Sequence, residues 1–88
     1  TQQHRESVRL VEQLSARERE VLQQVLRGRL NKQIASDLGV VEKTVKVHRS
    51  HIMQKMRVNS LAELVQLCGL AGLTGDQKLG QPVDVTAK

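Results

Sequence analysis

The sequence predicts an all-α fold: a four-helix bundle containing a helix-turn-helix, with a polar N-terminal linker and a disordered C-terminal tail. In several segments apolar residues recur every three or four positions, which is helical spacing, and no segment alternates as a strand would. Gly28, Gly39 and Gly69 each follow such a segment, where a residue able to adopt positive φ ends a helix. The chain of 88 residues is long enough for one small domain.

Residues 1–14 are mostly polar, with an apolar stripe formed by Val8, Val11 and Leu14. We predict a linker or a linker helix, because the stripe is too thin to fold alone. The chain starts with Thr1 and not with Met, and we expect it to be a piece of a longer protein.

The first bundle helix is predicted over Ala16–Arg27. It begins with a capping box, in which Ser15 and Glu18 each satisfy a backbone N–H of the other. Gly28 ends it. Its apolar face is formed by Val21, Leu22, Val25 and Leu26.

The next two helices are predicted over Asn31–Leu38 and Glu42–Met56. The short, Gly-containing connection between them is typical of a helix-turn-helix, which we assign to residues 31–50. On the second helix the inner face is predicted to be Val45, His48, Ile52 and Met56. The exposed face is predicted to be Lys43, Lys46, Val47, Ser50 and Gln54.

The last helix begins at a second capping box, Ser60 to Glu63. Its apolar stripe consists of Leu61, Leu64, Val65 and Cys68, and Gly69 is predicted to end it. We therefore predict a domain over residues 15–69 and a flexible tail over residues 70–88.

Positive charge is concentrated around the helix-turn-helix. Eight Lys and Arg residues but only two acidic residues lie within residues 27–57. The net charge of this stretch therefore exceeds the net charge of the whole chain, which is +5. Such a concentration predicts a phosphate-binding surface. The sequence has no Phe, Trp or Tyr on which unpaired bases could stack, which favours double-stranded DNA.

The exposed face of the predicted helix Glu42–Met56 suits the major groove, which admits one α-helix. We predict that Lys46 donates to guanine and that Val47 contacts a thymine methyl group. Ser50 is short and can donate or accept, so we predict that it tolerates more than one base. Free N–H groups at helix starts also attract phosphates. The predicted contacts to the DNA backbone are Asn31, Lys32, Lys43, Thr44, Arg49 and Lys55.

Other kinds of site are not supported. His48 and His51 are spaced for a metal, but no third ligand follows at ligand spacing, and we expect no metal or cofactor. The sequence contains no recognisable set of catalytic residues and no phosphate-binding loop, so we do not expect the chain to be an enzyme. No apolar run is long enough to span a membrane. The single Cys68 favours a reducing, cytoplasmic setting.

Three segments resemble the LuxR/FixJ/NarL-type DNA-binding domain: Leu14–Leu22, Asn31–Ala35 and Glu42–Ser50. The resemblance extends over about Leu14 to Leu67. It implies a four-helix effector domain at the C-terminus of a bacterial response regulator, with Lys46, Val47 and Ser50 at the base-reading positions. It also implies pairing of two copies through the last helix, at Leu61, Ala62 and Val65, with RNA polymerase as a candidate partner.

The chain departs from the family at two helix starts. Leu30 and Val41 stand where the family usually has Ser or Thr caps. Loss of a cap costs about 0.5–2 kcal/mol. Asn31 is a candidate replacement for the first cap, and we expect the first turn of the helix that follows Val41 to fray in the absence of DNA.

Two alternatives remain open from the sequence. The basic face could dock an acidic protein instead of DNA, in which case binding would not depend on base sequence. Within the DNA-binding interpretation, the missing N-terminal part could be a phosphorylated receiver or a ligand sensor. Residues 1–14 resemble the linker helix of receiver-linked, FixJ-like regulators, and this resemblance favours the receiver.

Overall fold

The computed structural model describes residues 2–72, and most of the predicted tail lies outside the described residues. Its helices are α1 (Gln2–Glu12), α2 (Ala16–Leu26), α3 (Asn31–Leu38), α4 (Glu42–Lys55) and α5 (Leu61–Leu70). The described part contains no strand, which confirms the all-α prediction. It has one helix more than the four predicted, because the segment that we left open as linker or linker helix forms α1.

Helix α1 is held by the rest of the domain. It packs against α5, and Val11 and Leu14 are buried. Two polar contacts add to this packing: His4 Nδ1 lies 2.8 Å from the Leu70 carbonyl oxygen, and Arg19 Nη2 donates to the Glu12 carbonyl at 3.0 Å. The thin apolar stripe of α1 is therefore sufficient to hold the helix in the domain, because it packs against α5.

A single apolar core joins the helices. Helix α4 contacts both α2 and α3, so it is central to the helix packing. The core side chains from these three helices include Val21, Leu22, Val25, Ile34, Ala35, Val45 and Ile52. Burial of aliphatic groups at about 25 cal/mol per Å² stabilises this arrangement. No helix within residues 2–72 has the length and apolar character needed to cross a bilayer.

Glycines end the helices at two of the three predicted positions. Gly28 and Gly39 have left-handed φ values of 79° and 69°. The prediction that Gly69 ends the last helix is wrong, because α5 continues to Leu70 and the left-handed residue is Gly72, with φ 79°. The extra turn buries Ala71, which is 1 % exposed. The predicted start of the tail at residue 70 therefore falls inside a helix.

The two predicted capping boxes differ. At α2 the box is complete, since Ser15 Oγ accepts from the Glu18 N–H at 3.1 Å and Glu18 Oε1 accepts from the Ser15 N–H at 2.8 Å. At α5, Ser60 Oγ accepts from the Glu63 N–H at 3.1 Å. The Glu63 carboxylate, however, accepts from the Asn59 N–H and not from that of Ser60. Both helix starts are nevertheless capped by side chains.

Candidate nucleic-acid interface

The helix-turn-helix is formed by α3, a tight turn and α4. Gly39 adopts a left-handed conformation, and the Val40 N–H donates to the Ala35 carbonyl at 3.0 Å, which closes the end of α3. Ile34 and Ala35 on α3 are buried in the same core as the inner residues of α4. This packing determines which face of α4 is left on the surface.

The inner face of α4 is largely as predicted. Val45, Ile52 and Met56 are 0 %, 1 % and 1 % exposed, respectively, whereas His48 is only half-buried. The helix itself ends one residue earlier than predicted, and Met56 is its C-cap. The five residues predicted on the outer face are all exposed: Lys43, Lys46, Val47, Ser50 and Gln54.

The predicted base-reading residues lie together on this outer face. Lys46 and Ser50 are four residues apart and Val47 and Ser50 three apart, so their side chains are neighbours on the helix surface. They present an ammonium donor, an apolar branch and a hydroxyl group, respectively. Val47 is 45 % exposed although it is a large hydrophobic residue. The strip thus exposes polar and apolar groups that have no role in the core.

The six predicted backbone contacts fall into two groups. Lys32 and Lys43 are exposed near the starts of α3 and α4, and Thr44 is half-buried beside Lys43. Asn31, Arg49 and Lys55 instead have side-chain partners within the domain.

Asn31 and Arg49 are bonded to each other. Arg49 Nη1 donates to Asn31 Oδ1 at 2.8 Å, which links the first residue of α3 to the middle of α4. Asn31 therefore does not replace the missing cap of α3, contrary to expectation. Leu30 supplies no side-chain cap, although its own N–H donates to Gln33 Oε1 at 2.9 Å.

Lys55 is bonded to Glu18 at the other end of α4. Its Nζ lies 2.7 Å from Glu18 Oε1, and His51 Nδ1 lies 3.8 Å from Glu18 Oε2. Burial raises the pKa of Glu18, but the hydrogen bonds from Lys55 and the Ser15 backbone, with the charge of Lys55, outweigh it and lower the pKa below 4.5. The sequence predicts only a capping role for Glu18. The pair with Lys55 was not predicted, because its members are 37 positions apart.

The start of α4 lacks a side-chain cap, as predicted. Val41 makes no capping hydrogen bond and is 68 % exposed. Leu30, at the start of α3, is 67 % exposed. Both helices therefore begin with N–H groups that no neighbouring side chain satisfies.

The surface of α5 contains the residues predicted to pair two copies. Leu61 and Val65 are 48 % and 49 % exposed, respectively, and Ala62 is exposed between them. Leu64 and Cys68 of the same predicted stripe are buried instead. Burial raises the pKa of the Cys68 thiol to about 11, in keeping with a core position.

The described residues contain no cluster suited to a metal ion. No three His, Cys, Asp or Glu side chains within residues 2–72 come together as a set of ligands. His51 is directed to Glu18 and not to a site shared with His48.

Comparisons with known proteins give one family. A profile described as "Bacterial regulatory proteins, luxR family" matches residues 12–68, more than half of the chain. Nodulation protein W of Bradyrhizobium diazoefficiens is 45 % identical over 67 residues, which cover 76 % of this chain and 30 % of that protein. Response regulator protein TodT of Pseudomonas putida is 57 % identical over 56 residues, covering 64 % of this chain and 25 % of TodT.

A solved structure agrees with these matches. Full-length FixJ from B. japonicum superposes with a TM-score of 0.73 at 36 % identity, covering 81 % of this chain and 36 % of FixJ. The chain thus spans about a third or less of the length of each of these relatives.

Proposed function

The chain belongs to the luxR family of bacterial regulatory proteins, and we propose that it is the sequence-specific DNA-binding effector domain of a two-component response regulator. In this proposal α4 lies in the major groove of double-stranded DNA. The observation that carries it is the exposed strip of Lys46, Val47 and Ser50 on a helix whose opposite face is fixed in the core. A core-anchored helix can present three side chains to base edges without moving.

Each residue of the strip has a matching group in the groove. Lys46 is long enough to donate to guanine O6 and N7, and Val47 can pack on the methyl group of thymine. Ser50 can donate or accept, so it tolerates more than one base. Base contacts of this kind give the domain its sequence preference.

Contacts to phosphates would hold the domain in register on the DNA. Lys32 and Lys43 provide charge close to the starts of α3 and α4, and Thr44 provides a hydroxyl group. The uncapped helix starts add backbone N–H donors with the positive end of the helix dipole. Lys55 is a weaker candidate, because its ammonium group already binds Glu18.

We propose that two copies bind adjacent half-sites through the exposed face of α5. A single domain makes few base contacts, so tight binding requires a second copy. Leu61, Ala62 and Val65 offer an apolar surface on the outer side of α5.

Since related proteins are named response regulators and are much longer, we also propose a phosphorylated receiver as the upstream domain, a cytoplasmic location and RNA polymerase as a partner.

Selection of bound sites from random duplex DNA tests the proposal. We expect one sequence to be enriched and to bind far more tightly than random duplex, with affinity falling steeply as salt rises. Lys46→Ala should weaken binding to that sequence by about 1–3 kcal/mol and relax preference at one base position.

Lys43→Ala is the matched control on the same helix. Loss of a phosphate contact should weaken specific and random DNA alike and reduce the salt slope by about one. Equal weakening of both DNAs by Lys46→Ala would remove its base-reading role. Binding of an acidic peptide without any preference among duplexes would favour the protein-docking alternative.

A further inference from the structure

We propose that Arg49 is a positioning residue of the DNA-reading unit: it holds the start of α3 against the middle of α4 and does not contact a phosphate. The inference rests on the proposed function. It assigns Asn31 and Arg49 a shared role within the protein, in place of the two separate contacts to the DNA backbone that the sequence suggested.

The geometry of the Arg49 side chain is the first observation. Its guanidinium group donates to Asn31 Oδ1 at 2.8 Å, across 18 positions of sequence. The side chain is half-buried and lines two adjoining hollows, each of which also includes Val25 and Leu61. A half-buried arginine side chain has less freedom than a surface arginine, so the hydrogen bond is made at a smaller further loss of entropy.

The way in which the two ends of α3 are held is the second observation. This helix has only eight residues, and its buried side chains, Ile34 and Ala35, lie in its middle. Its C-terminal half is tied by the ion pair between Asp37 and Arg29, 3.0 Å apart. Its start has no side-chain cap from Leu30. The hydrogen bond from Arg49 therefore links the uncapped start of α3 to α4.

A fixed start of α3 matters for reading DNA. Lys32, proposed to contact a phosphate, follows directly after Asn31, whereas Lys46 and Ser50 are on α4 with Arg49 between them. Phosphate contacts set the register in which base contacts are made. If the start of α3 moves relative to α4, both sets of contacts cannot be satisfied together on one site. Random duplex imposes no such requirement, because any register is acceptable there.

The competing role for Arg49 is a direct phosphate contact. None of the ion pairs within residues 2–72 includes Arg49, so its charge is not neutralised by a carboxylate. The two roles differ in their dependence on salt. A phosphate contact releases counterions, and its loss lowers the slope of log K against log salt by about 0.9. Loss of a positioning bond leaves that slope unchanged.

The test uses Arg49→Met, Asn31→Ala and the double variant, with binding measured to the selected site and to random duplex over a range of salt. Methionine keeps an apolar stem in the hollows, and alanine is well accepted at a helix start. Thermal unfolding of each variant establishes that it is folded. Lys43→Met is the control for a lost phosphate contact.

We expect each single substitution to weaken binding to the selected site about tenfold, as for loss of a hydrogen bond to a charged group. Binding to random duplex and the salt slope should stay as in the wild type. The double variant should bind the selected site as tightly as the single variant with the lower affinity, because both substitutions remove the same bond.

Three results would overturn the inference. The first is a lower salt slope for Arg49→Met, with equal weakening on both DNAs, as expected for Lys43→Met. The second is full additivity of Asn31→Ala and Arg49→Met, and the third is unchanged binding to the selected site. A wild-type domain that does not distinguish the selected site from random duplex would refute the proposed function itself, and the inference with it.

Discussion

Lys55 Nζ lies 2.7 Å from Glu18 Oε1, so the last residue of α4 is joined to the first turn of α2. The Glu18 side chain is only 5 % exposed, and its other oxygen is near His51. The same carboxylate also accepts the Ser15 N–H in the capping box. One buried carboxylate therefore contacts the end of α4 and caps the start of α2.

We expect Lys55→Met to destabilise the domain by about 1.5–3 kcal/mol, because it leaves a buried carboxylate without its charged donor. Urea unfolding measures this loss. Arg17→Met is the control, since the Arg17–Glu20 pair has side chains that are 45 % and 55 % exposed. That exposed pair should contribute at most about 1 kcal/mol. Equal losses for the two variants would show that the Glu18 pair is no stronger than a surface pair.

The stability should depend on pH through Glu18. The folded protein holds the pKa of Glu18 below 4.5, despite the opposing effect of burial. A carboxylate with a lowered folded pKa adds stability that is complete above the unfolded value and is lost as pH falls through the folded value. We therefore expect the melting temperature to drop as the pH is lowered below about 4.5. Glu18→Gln should show a flatter profile over that range, and parallel profiles would contradict the assignment.

Val41→Ser should stabilise the domain by about 0.5–2 kcal/mol, because a serine at this position can accept a backbone N–H of the first turn of α4. Hydrogen exchange in the free domain should be fast at Lys43–Val45 in the wild type and slower in the variant. Val41→Ala controls for the loss of the exposed valine side chain and should give no such gain. Slow exchange at these amides in the wild type would rule out a frayed start.

Val65→Lys should weaken the cooperative binding of two copies to adjacent half-sites while leaving binding to a single half-site intact. A charge in an apolar contact opposes pairing, and a lysine does not repel DNA. Gln13→Lys adds the same charge at an exposed position outside α5. Binding curves on DNA with one and with two half-sites separate the effects. Unchanged cooperativity would exclude Val65 from the dimer surface.

Features determined by neighbouring residues were predictable from the sequence. The bounds of α3 were predicted to the residue, and the capping box of Ser15 and Glu18 is complete in the structure. The division of α4 into an inner and an outer face was also predictable, because it follows from the helical repeat and the identity of each side chain. The base-reading roles of Lys46, Val47 and Ser50 stay predictions.

Features that depend on distant partners were not predictable. The bonds of Arg49 to Asn31 and of Lys55 to Glu18 join residues 18 and 37 positions apart. No local pattern marks such pairs, and each residue was instead explained by its immediate surroundings. The continuation of α5 past Gly69 has the same origin, because the burial of Ala71 depends on the tertiary structure.

The docking of α1 has a consequence for the order in which the domain assembles. The contact between His4 and Leu70 closes 66 positions of chain, whereas α3 and α4 are adjacent along the sequence. Closing a longer loop costs more entropy, so contacts between nearby segments form sooner. The helix-turn-helix can therefore assemble before α1 arrives. By the same reasoning we expect α1 to be the first element to detach when the domain opens locally, with α3 and α4 still folded.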